Sequence, residues 1–246
     1  MKAMILAAGL GTRLRPLTDN RPKALVEING RTLLEITLLR LRTFGIRDVI
    51  INVHHFADII LGYLKTNSDF GMRIEVSRED VLLDTGGGLK KAARFFLEDS
   101  RGGDDPFVLH NVDVISTIDL RRMLQFHADN GALATLAVQN REASRYLLFD
   151  DASMLCGRRF ERDNKTELVR PSQHPQKLAF CGVHVISPRF LGMMIEEGAF
   201  SIIAPYLRLA ASREKILAFR ADEYHWRDLG KPGSILEANR DAGVLP

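Results

Sequence analysis

Apolar positions recur with two periods along this chain. Residues 2–8 form a continuous apolar run broken by Gly9, the pattern of a strand covered on both faces. Leu33, Leu34, Ile36, Leu38 and Leu41 lay a broad stripe on a helix predicted over residues 32–44, and Gly45 can terminate it. The same reading gives strands over 48–53, 73–77, 107–110 and 134–138, and helices over 56–65 and 89–96. A further helix is capped by Asp119 and ends before Gly131. Beyond Gln139 the rhythm changes. Residues 146–149 and 154–157 read as a hairpin around Asp150 and Asp151. The polar stretch 158–176, with Pro171 and Pro175, reads as a loop or flap. A strand over 178–186, helices over 188–197 and 201–211, a strand over 216–220 and a helix over 231–240 complete the pattern. Strands alternating with helices predict an α/β fold, a mainly parallel sheet flanked by helices, in one domain over residues 1–246 that changes character near residue 139. No internal repeat and no β-helix period interrupts it.

Composition narrows the function classes. Of 246 residues, 34 are basic and 31 acidic, so the net charge of +3 aims no strong field at nucleic acid or a membrane. The basic residues are uneven, however. Arg13, Arg15, Arg21, Lys23 and Arg31 share a short stretch with only Asp19 and Glu27, which predicts a local anion site. Cys156 and Cys181 lack CxxC spacing, and no signal peptide precedes them, so they are expected as reduced thiols in a cytoplasmic protein. The first apolar run is too short to span a bilayer. Oligomeric state stays open, because the apolar positions in 190–211 suit a core or an interface equally.

In a parallel sheet, ligands bind beyond the carboxyl ends of the strands. Two candidate motifs sit at such ends. Ala8-Gly9-Leu10-Gly11-Thr12-Arg13 follows the first strand: its glycines let backbone N–H groups approach a phosphate chain, and Arg13 adds a cationic fork. Leu14 stands where a dinucleotide-binding loop wants glycine, and the Gly-Lys-Ser/Thr ending of a P-loop is missing. Asn111-Val112-Asp113 follows the strand over 107–110, and its carboxylate suits a Mg²⁺ ligand. Lys23, held by Pro22, can reach a phosphate, though taken alone it is an ordinary solvated lysine. Asp84-Thr85-Gly86-Gly87-Gly88 offers backbone against which a base could lie, or is simply a flexible helix entry. Trp226-Arg227-Asp228-Leu229-Gly230-Lys231-Pro232 supplies a second isolated aspartate, otherwise a helix cap. His54, His55 and His110 lack zinc-ligand spacing.

Taken in order, these motifs resemble the nucleotidyltransferase family that makes nucleotide sugars, over nearly the whole chain. Within it, the short length and the Thr-Gly-Gly-Gly loop look most like the N-acetylmuramate 1-phosphate uridylyltransferases, with mannose and heptose 1-phosphate guanylyltransferases as near competitors. The resemblance implies a Rossmann-like core of glycosyltransferase A type, with 1–139 as the nucleotide-binding half and 140–246 as the sugar-binding half. It implies that NTP and a sugar 1-phosphate are the partners and Mg²⁺ the cofactor. Arg13, Lys23 and Asp113 are then catalytic. Ala8, Gly9, Gly11, Thr12, Arg13, Lys23, Asp84, Gly87 and Gly88 bind nucleotide, Asn111 and Gly182 face the sugar, and Asp113 and Asp228 hold the metal. Two departures stand out: Val112 replaces a common glycine, and the Glu-Lys-Pro sugar-phosphate motif is absent from 161–171. UTP is the expected nucleotide, then GTP. The rival readings are a glycosyltransferase, which leaves Arg13 and Lys23 without a triphosphate to bind, and a non-catalytic nucleotide-sugar binding protein.

Overall fold

The first strand forms where its apolar run predicts it: β1 (Lys2–Leu6) has a parallel neighbour on each side in the computed structural model, which describes residues 1–98 and 105–240. After it come the short hairpin β2 (Glu27–Ile28) and β3 (Arg31–Thr32), α1 (Leu33–Thr43), β4 (Asp48–Val53), α2 (Ala57–Thr66), β5 (Arg73–Arg78), α3 (Asp84–Lys91) and α4 (Ala93–Leu97). Then follow β6 (Phe107–Asn111), β7 (Val114–Ser116), α5 (Leu120–Asp129) and β8 (Ala134–Gln139). The rest is β9 (Arg145–Phe149), β10 (Leu155–Phe160), β11 (Lys165–Leu168), β12 (Gln176–Ile186), α6 (Arg189–Gly192), α7 (Ile203–Ala211), β13 (Ile216–Arg220), β14 (Trp226–Asp228) and α8 (Pro232–Arg240). The expected domain's residues 99–104 and 241–246 lie outside the described residues.

The large mixed sheet runs β11-β10-β9-β12-β6-β1-β4-β5, with β8 on β12 and β13 on β8. The run from β6 to β5 is parallel, as is the β8–β13 pair, while β12 lies antiparallel to β6, β8 and β9. Side chains alternate between the faces. Ala3, Ile5, Val49 and Ile51 enter a core shared with α1, α2 and α5, whereas Met4, Ile50 and Leu109 enter one shared with α3, α4 and α7. Three layers with two cores follow, the α/β Rossmann-like class. Of the apolar positions in 190–211 that the sequence left open, Phe190, Leu191, Tyr206 and Leu207 belong to the second core, whereas Ile195 is exposed.

Three element predictions need correction. The stretch 158–176 is not a plain loop: β10 and β11 form an antiparallel hairpin, in register from Gly157↔Leu168 to Phe160↔Lys165, and Arg158 Nε donates to Glu167 Oε2 at 2.7 Å. Most of β11 is exposed, so its pairing rests on backbone bonds and leaves no apolar period to read. The three glycines do not precede a helix but lie inside α3. Finally, 188–197 holds only the single turn α6. Among the described residues no helix is long and apolar enough to cross a membrane.

Two histidines in the sheet are buried neutral. Burial, and then the nearby positive charge of Arg40, push His110 down to about 4; burial, and then His110, push His184 down to about 3. Below the ordinary histidine value of about 6.5, the unfolded chain binds protons that the folded chain refuses. Stability from these two groups is therefore complete above pH ~6.5 and is lost as the pH falls toward 4. Urea melts from pH 7.5 to 4.5 should show falling stability, and the double variant His110→Gln/His184→Gln should show a shallower slope. An unchanged slope in that variant would assign the acid sensitivity to other groups.

Candidate functional site

The loop after β1 is shaped by one left-handed residue. Gly11 has φ 65°, and a Cβ there would stand 3.0 Å from Thr18 Cγ2 and 3.1 Å from Lys23 Cβ. Thr18 Oγ1 donates back to the Gly11 carbonyl at 2.9 Å. Glycine thus lets the turn close onto Lys23. Lys23 itself is set by extended Pro22 before it and by buried Ala24 and Leu25 after it. Its ammonium donates to Asp113 Oδ2, with both side chains largely buried.

Asp113 follows β6 in the turn to β7. There the chain does something that its local sequence does not announce. β7 pairs antiparallel with β14, Val114 opposite Asp228, and Leu229 N–H donates to the Asp113 carbonyl at 2.8 Å. This small ladder brings the two isolated aspartates to one place. Asp228 Oδ1 accepts the Gly230 N–H at 2.6 Å. A Cβ on Gly230 would meet Asp228 Oδ1 at 2.7 Å and Arg13 Nη2 at 2.8 Å, so this glycine admits Arg13 beside the aspartate.

Two cavities flank this point and share Asn111 and Asp113 as a common wall. One, of about 390 Å³, brings together Ala8, Gly9, Lys23, Asp84, Asn111 and Asp113. The other, of about 550 Å³, gathers Arg13, Gly182 and Asp228 with Arg141, Arg145 and Trp226. Gly182, with φ 73°, sits in the irregular stretch of β12 where a Cβ would stand 2.8 Å from Asn111 Nδ2. Gly11 and Thr12 lie outside both linings.

Gly87 and Gly88 are also outside the linings, and their role differs from the open loop that the sequence suggests. Gly86 and Gly87 N–H groups donate to the Phe200 carbonyl at 2.8 and 3.3 Å. A Cβ on Gly87 would stand 2.5 Å from the Gly198 carbonyl oxygen, and one on Gly88 would stand 2.7 Å from Asn52 Nδ2. The glycines are there because other chain segments press against α3. That demand overrides their poor helix propensity. Asp84 and Thr85, one turn earlier, are the residues of this segment that reach the cavity. Asp84 has φ 58°, and its Oδ1 accepts the Thr85 N–H at 2.6 Å.

Sequence reasoning missed the polar frame beneath this cavity. Asn52 Oδ1 accepts the Ala7 N–H at 2.8 Å, and its Nδ2 donates to Glu79 Oε1 at 2.7 Å. Glu79 Oε2 accepts the Leu83 N–H at 2.9 Å. Both side chains are buried. They tie the ends of β1, β4 and β5 to the start of α3. The available signal was a polar residue closing an apolar strand, the same signal that exposed Asp113. Arg141 was also missed. Its guanidinium lies 3.6 Å from the Trp226 ring centroid, and Nη2 donates to the Phe180 carbonyl at 2.9 Å. Arg141 offers no local pattern, since a stacked arginine and a solvated one look alike in a loop.

The Asp113 and Asp228 carboxylates, with Lys23 and Arg13 beside them, form a hard donor set. Among the described residues, no group of three His, Cys, Asp or Glu side chains could hold a metal ion. The oxygen donors of Asp113 and Asp228 suit an ion that takes one or two carboxylates and completes its shell with phosphate oxygens and water, as Mg²⁺ does.

Comparison with known proteins gives the family and the fold. The model of the family described as Nucleotidyl transferase matches residues 2–243. An N-acetylmuramate alpha-1-phosphate uridylyltransferase of Caulobacter vibrioides is 32% identical, over 96% of this chain and 94% of that one. A mannose-1-phosphate guanyltransferase of Pichia angusta is 31% identical over 96% of this chain, which spans only 62% of that relative. Among solved structures, HddC from Yersinia pseudotuberculosis complexed with GMP-PN aligns with a TM-score of 0.75 at 20% identity, over 98% of each chain. A UDP-glucose pyrophosphorylase complexed with UDP-glucose aligns with a TM-score of 0.73 at 18% identity, over 97% of each. At those identities the structures speak for the fold alone.

The polar frame carries a test of its own. Asn52→Leu leaves the Ala7 N–H and a Glu79 oxygen buried without partners, which should destabilise the fold by about 2–4 kcal/mol. Urea denaturation measures it directly. A midpoint within experimental error of the parent's would mean that the frame does not hold the strand ends together.

Proposed function

The chain belongs to the nucleotidyl transferase family and is an enzyme of the sugar-1-phosphate nucleotidyltransferase class, and from that premise we propose that it joins UMP from UTP to a sugar 1-phosphate and releases pyrophosphate. The observation that carries the reading is the wall of Asn111 and Asp113 shared by two cavities. A nucleotide in the smaller cavity and a sugar 1-phosphate in the larger would meet there, phosphate to phosphate. In this reading residues 1–139 serve mainly the nucleotide and 140–246 mainly the sugar. The two buried thiols suit a reducing, cytoplasmic setting.

The sugar phosphate is ionised at neutral pH, so the attack needs no general base. Its oxygen displaces pyrophosphate in line at the α-phosphorus. The main obstacle is the approach of two anions, and catalysis is alignment with charge neutralisation. Ala8 and Gly9 would present backbone to the nucleotide, and Gly11 and Thr12 would shape the turn that does so. Arg13 would hold triphosphate oxygens. Lys23, already beside Asp113, would donate to a phosphate oxygen at the reacting centre. Asp113 and Asp228 would hold Mg²⁺, which when bound supplies positive charge against the phosphate oxygens. Asn111 and Gly182 would border the sugar. Gly87 and Gly88 would act from behind, by letting α3 sit close enough for Asp84 and Thr85 to reach the base.

UTP is favoured because the uridylyltransferase relative is matched over 94% of its own length. A second reading rests on Asp84: Oδ1 is tied to Thr85, and Oδ2 remains able to accept from the N1 and N2 donors of guanine. A site that pairs such donors discriminates strongly against a base that lacks them. Pyrophosphate release should be measured for UTP, GTP, CTP, dTTP and ATP against several sugar 1-phosphates. The expected result is fastest release with UTP, and an Asp84→Ala variant that keeps it. Faster turnover of GTP, erased by Asp84→Ala, would replace the uridylyltransferase reading with a guanylyltransferase one. No release from any pair would remove the reaction altogether.

The metal assignment has its own check. Asp113→Asn and Asp228→Asn should each lower kcat by at least about a hundredfold at saturating Mg²⁺, because an amide cannot supply the charge that the ion needs. Parent rates in either variant would remove that residue from the metal site.

A further inference from the structure

Three successive residues, at and just after the end of β8, grip one segment of the chain. Gln139, which is buried, donates from Nε2 to the carbonyls of Ala221 and Tyr224 at 2.8 and 2.9 Å. The Asn140 N–H donates to Asp222 Oδ1 at 2.6 Å. Arg141 lays its guanidinium on the Trp226 ring. The gripped segment, 221–226, runs directly into β14 and Asp228.

Arg141 reaches further than the other two. Its Nη2 donates to the Phe180 carbonyl, and Trp226 Nε1 donates to the next carbonyl, that of Cys181, at 2.7 Å. These carbonyls immediately precede Gly182, where β12 loses its register and the backbone turns left-handed. Gly182 in turn presses on β7. A Cβ there would stand 2.9 Å from Val114 Cγ2, besides meeting Asn111. Val114 lies opposite Asp228 in the small ladder. The contacts therefore close a circuit, from Asp228 through Trp226 and the irregular stretch of β12 to Gly182 and Val114, and back to Asp228. Trp226 and Asp228 alternate with Arg227 along β14, so both share a face, and both line the larger cavity. A guanidinium that is stacked on a ring of this circuit and bonded to one of its carbonyls is committed to the wall.

We propose that Arg141 is a positioning residue: it locks Trp226 to the irregular stretch of β12 and so fixes the separation between Gly182, beside the sugar, and Asp228, beside the metal. The inference rests on the proposed function for what those two residues face. It adds the residue that keeps the two sides of the site in register. In-line transfer depends on such registration, because a misplacement of about 1 Å can cost roughly a hundredfold in rate. A planar guanidinium suits the task, since it stacks and donates at once, whereas an ammonium carries the charge without the plane.

The test compares Arg141→Met and Arg141→Lys with the parent, using the NTP and sugar 1-phosphate pair that releases pyrophosphate fastest. In both variants kcat/KM for the sugar 1-phosphate should fall by about ten- to a hundredfold, while calorimetric titration with Mg²⁺ and the same NTP should give an affinity within about twofold of the parent's. Trp226 is the single tryptophan of the chain, so its fluorescence reads the clamp with no substrate present. Both variants should show lower anisotropy and stronger quenching by acrylamide. Trp226→Phe keeps a ring for Arg141 but loses the bond to Cys181, and it serves where an arginine variant does not fold. It should show the same split between sugar and NTP, and adding Arg141→Lys to it should cost less than Arg141→Lys costs the parent. Parent kinetics in Arg141→Lys would make the residue a charge for the phosphate and overturn the inference. So would a loss of NTP affinity that keeps pace with the loss for the sugar, an unchanged tryptophan signal, or strictly additive losses in the double variant. Each of these failures leaves the proposed function standing, because the parent still releases pyrophosphate. If the parent releases none from any pair, the proposed function falls, and this inference with it.

Discussion

The contact on which the rest of the site depends is a backbone one. Leu229 donates to the carbonyl of Asp113, extending the two-stranded ladder of β7 and β14. Without it, one aspartate would end a strand of the parallel layer and the other would cap the last helix, with no reason to meet. With it, two carboxylates share a place, and like charges brought together must be offset. Lys23 does so directly at Asp113, while the Gly230 N–H does so at Asp228. Arg13 stands next to the latter because residue 230 has no side chain. The charge arrangement follows from the backbone hydrogen bonds of this ladder.

A second constraint lies beneath the smaller cavity. Parallel strands end in unpaired backbone groups, and a buried end must satisfy them. Asn52 and Glu79 do this for Ala7 and Leu83 and bond to each other in between. The arrangement leaves little room above it. Gly88 meets the Asn52 amide, Gly87 meets the Gly198 carbonyl, and both positions exclude a side chain. The glycine run is thus a packing solution that also brings Asp84 to the cavity edge, where the left-handed backbone of that residue points its segment inward.

The two cavities differ in character in a way that would suit the separate tasks proposed for them. The smaller is walled by strand-end backbone and small residues, with Lys23, Asp84 and the shared Asp113 as its charges. The larger is rich in arginine and contains the one tryptophan. Recognition by backbone suits a component common to many reactions of a class, whereas recognition by side chains from irregular segments is easily varied. Within this chain the second kind falls where β8 gives way to β9 and where β12 loses its regular register at Gly182.

What the sequence determined by itself was local. The apolar runs of β1, β4 and β6 located the parallel strands because burial on both faces writes a continuous signature. Gly11, Pro22-Lys23 and Asp113 were legible because a turn, a rigid dipeptide and a charged strand end each have a short-range cause. Tertiary structure alone decided the pairing of β7 with β14, the glycines within α3, the exposed β10–β11 hairpin and the stacking of Arg141 on Trp226. The physical reason is common to all four. Periodicity reports how much of a side chain is covered and not what covers it, and a backbone hydrogen bond can form between almost any two residues. Partners chosen by backbone, or by the space that a missing side chain leaves, become visible only once the chain has folded.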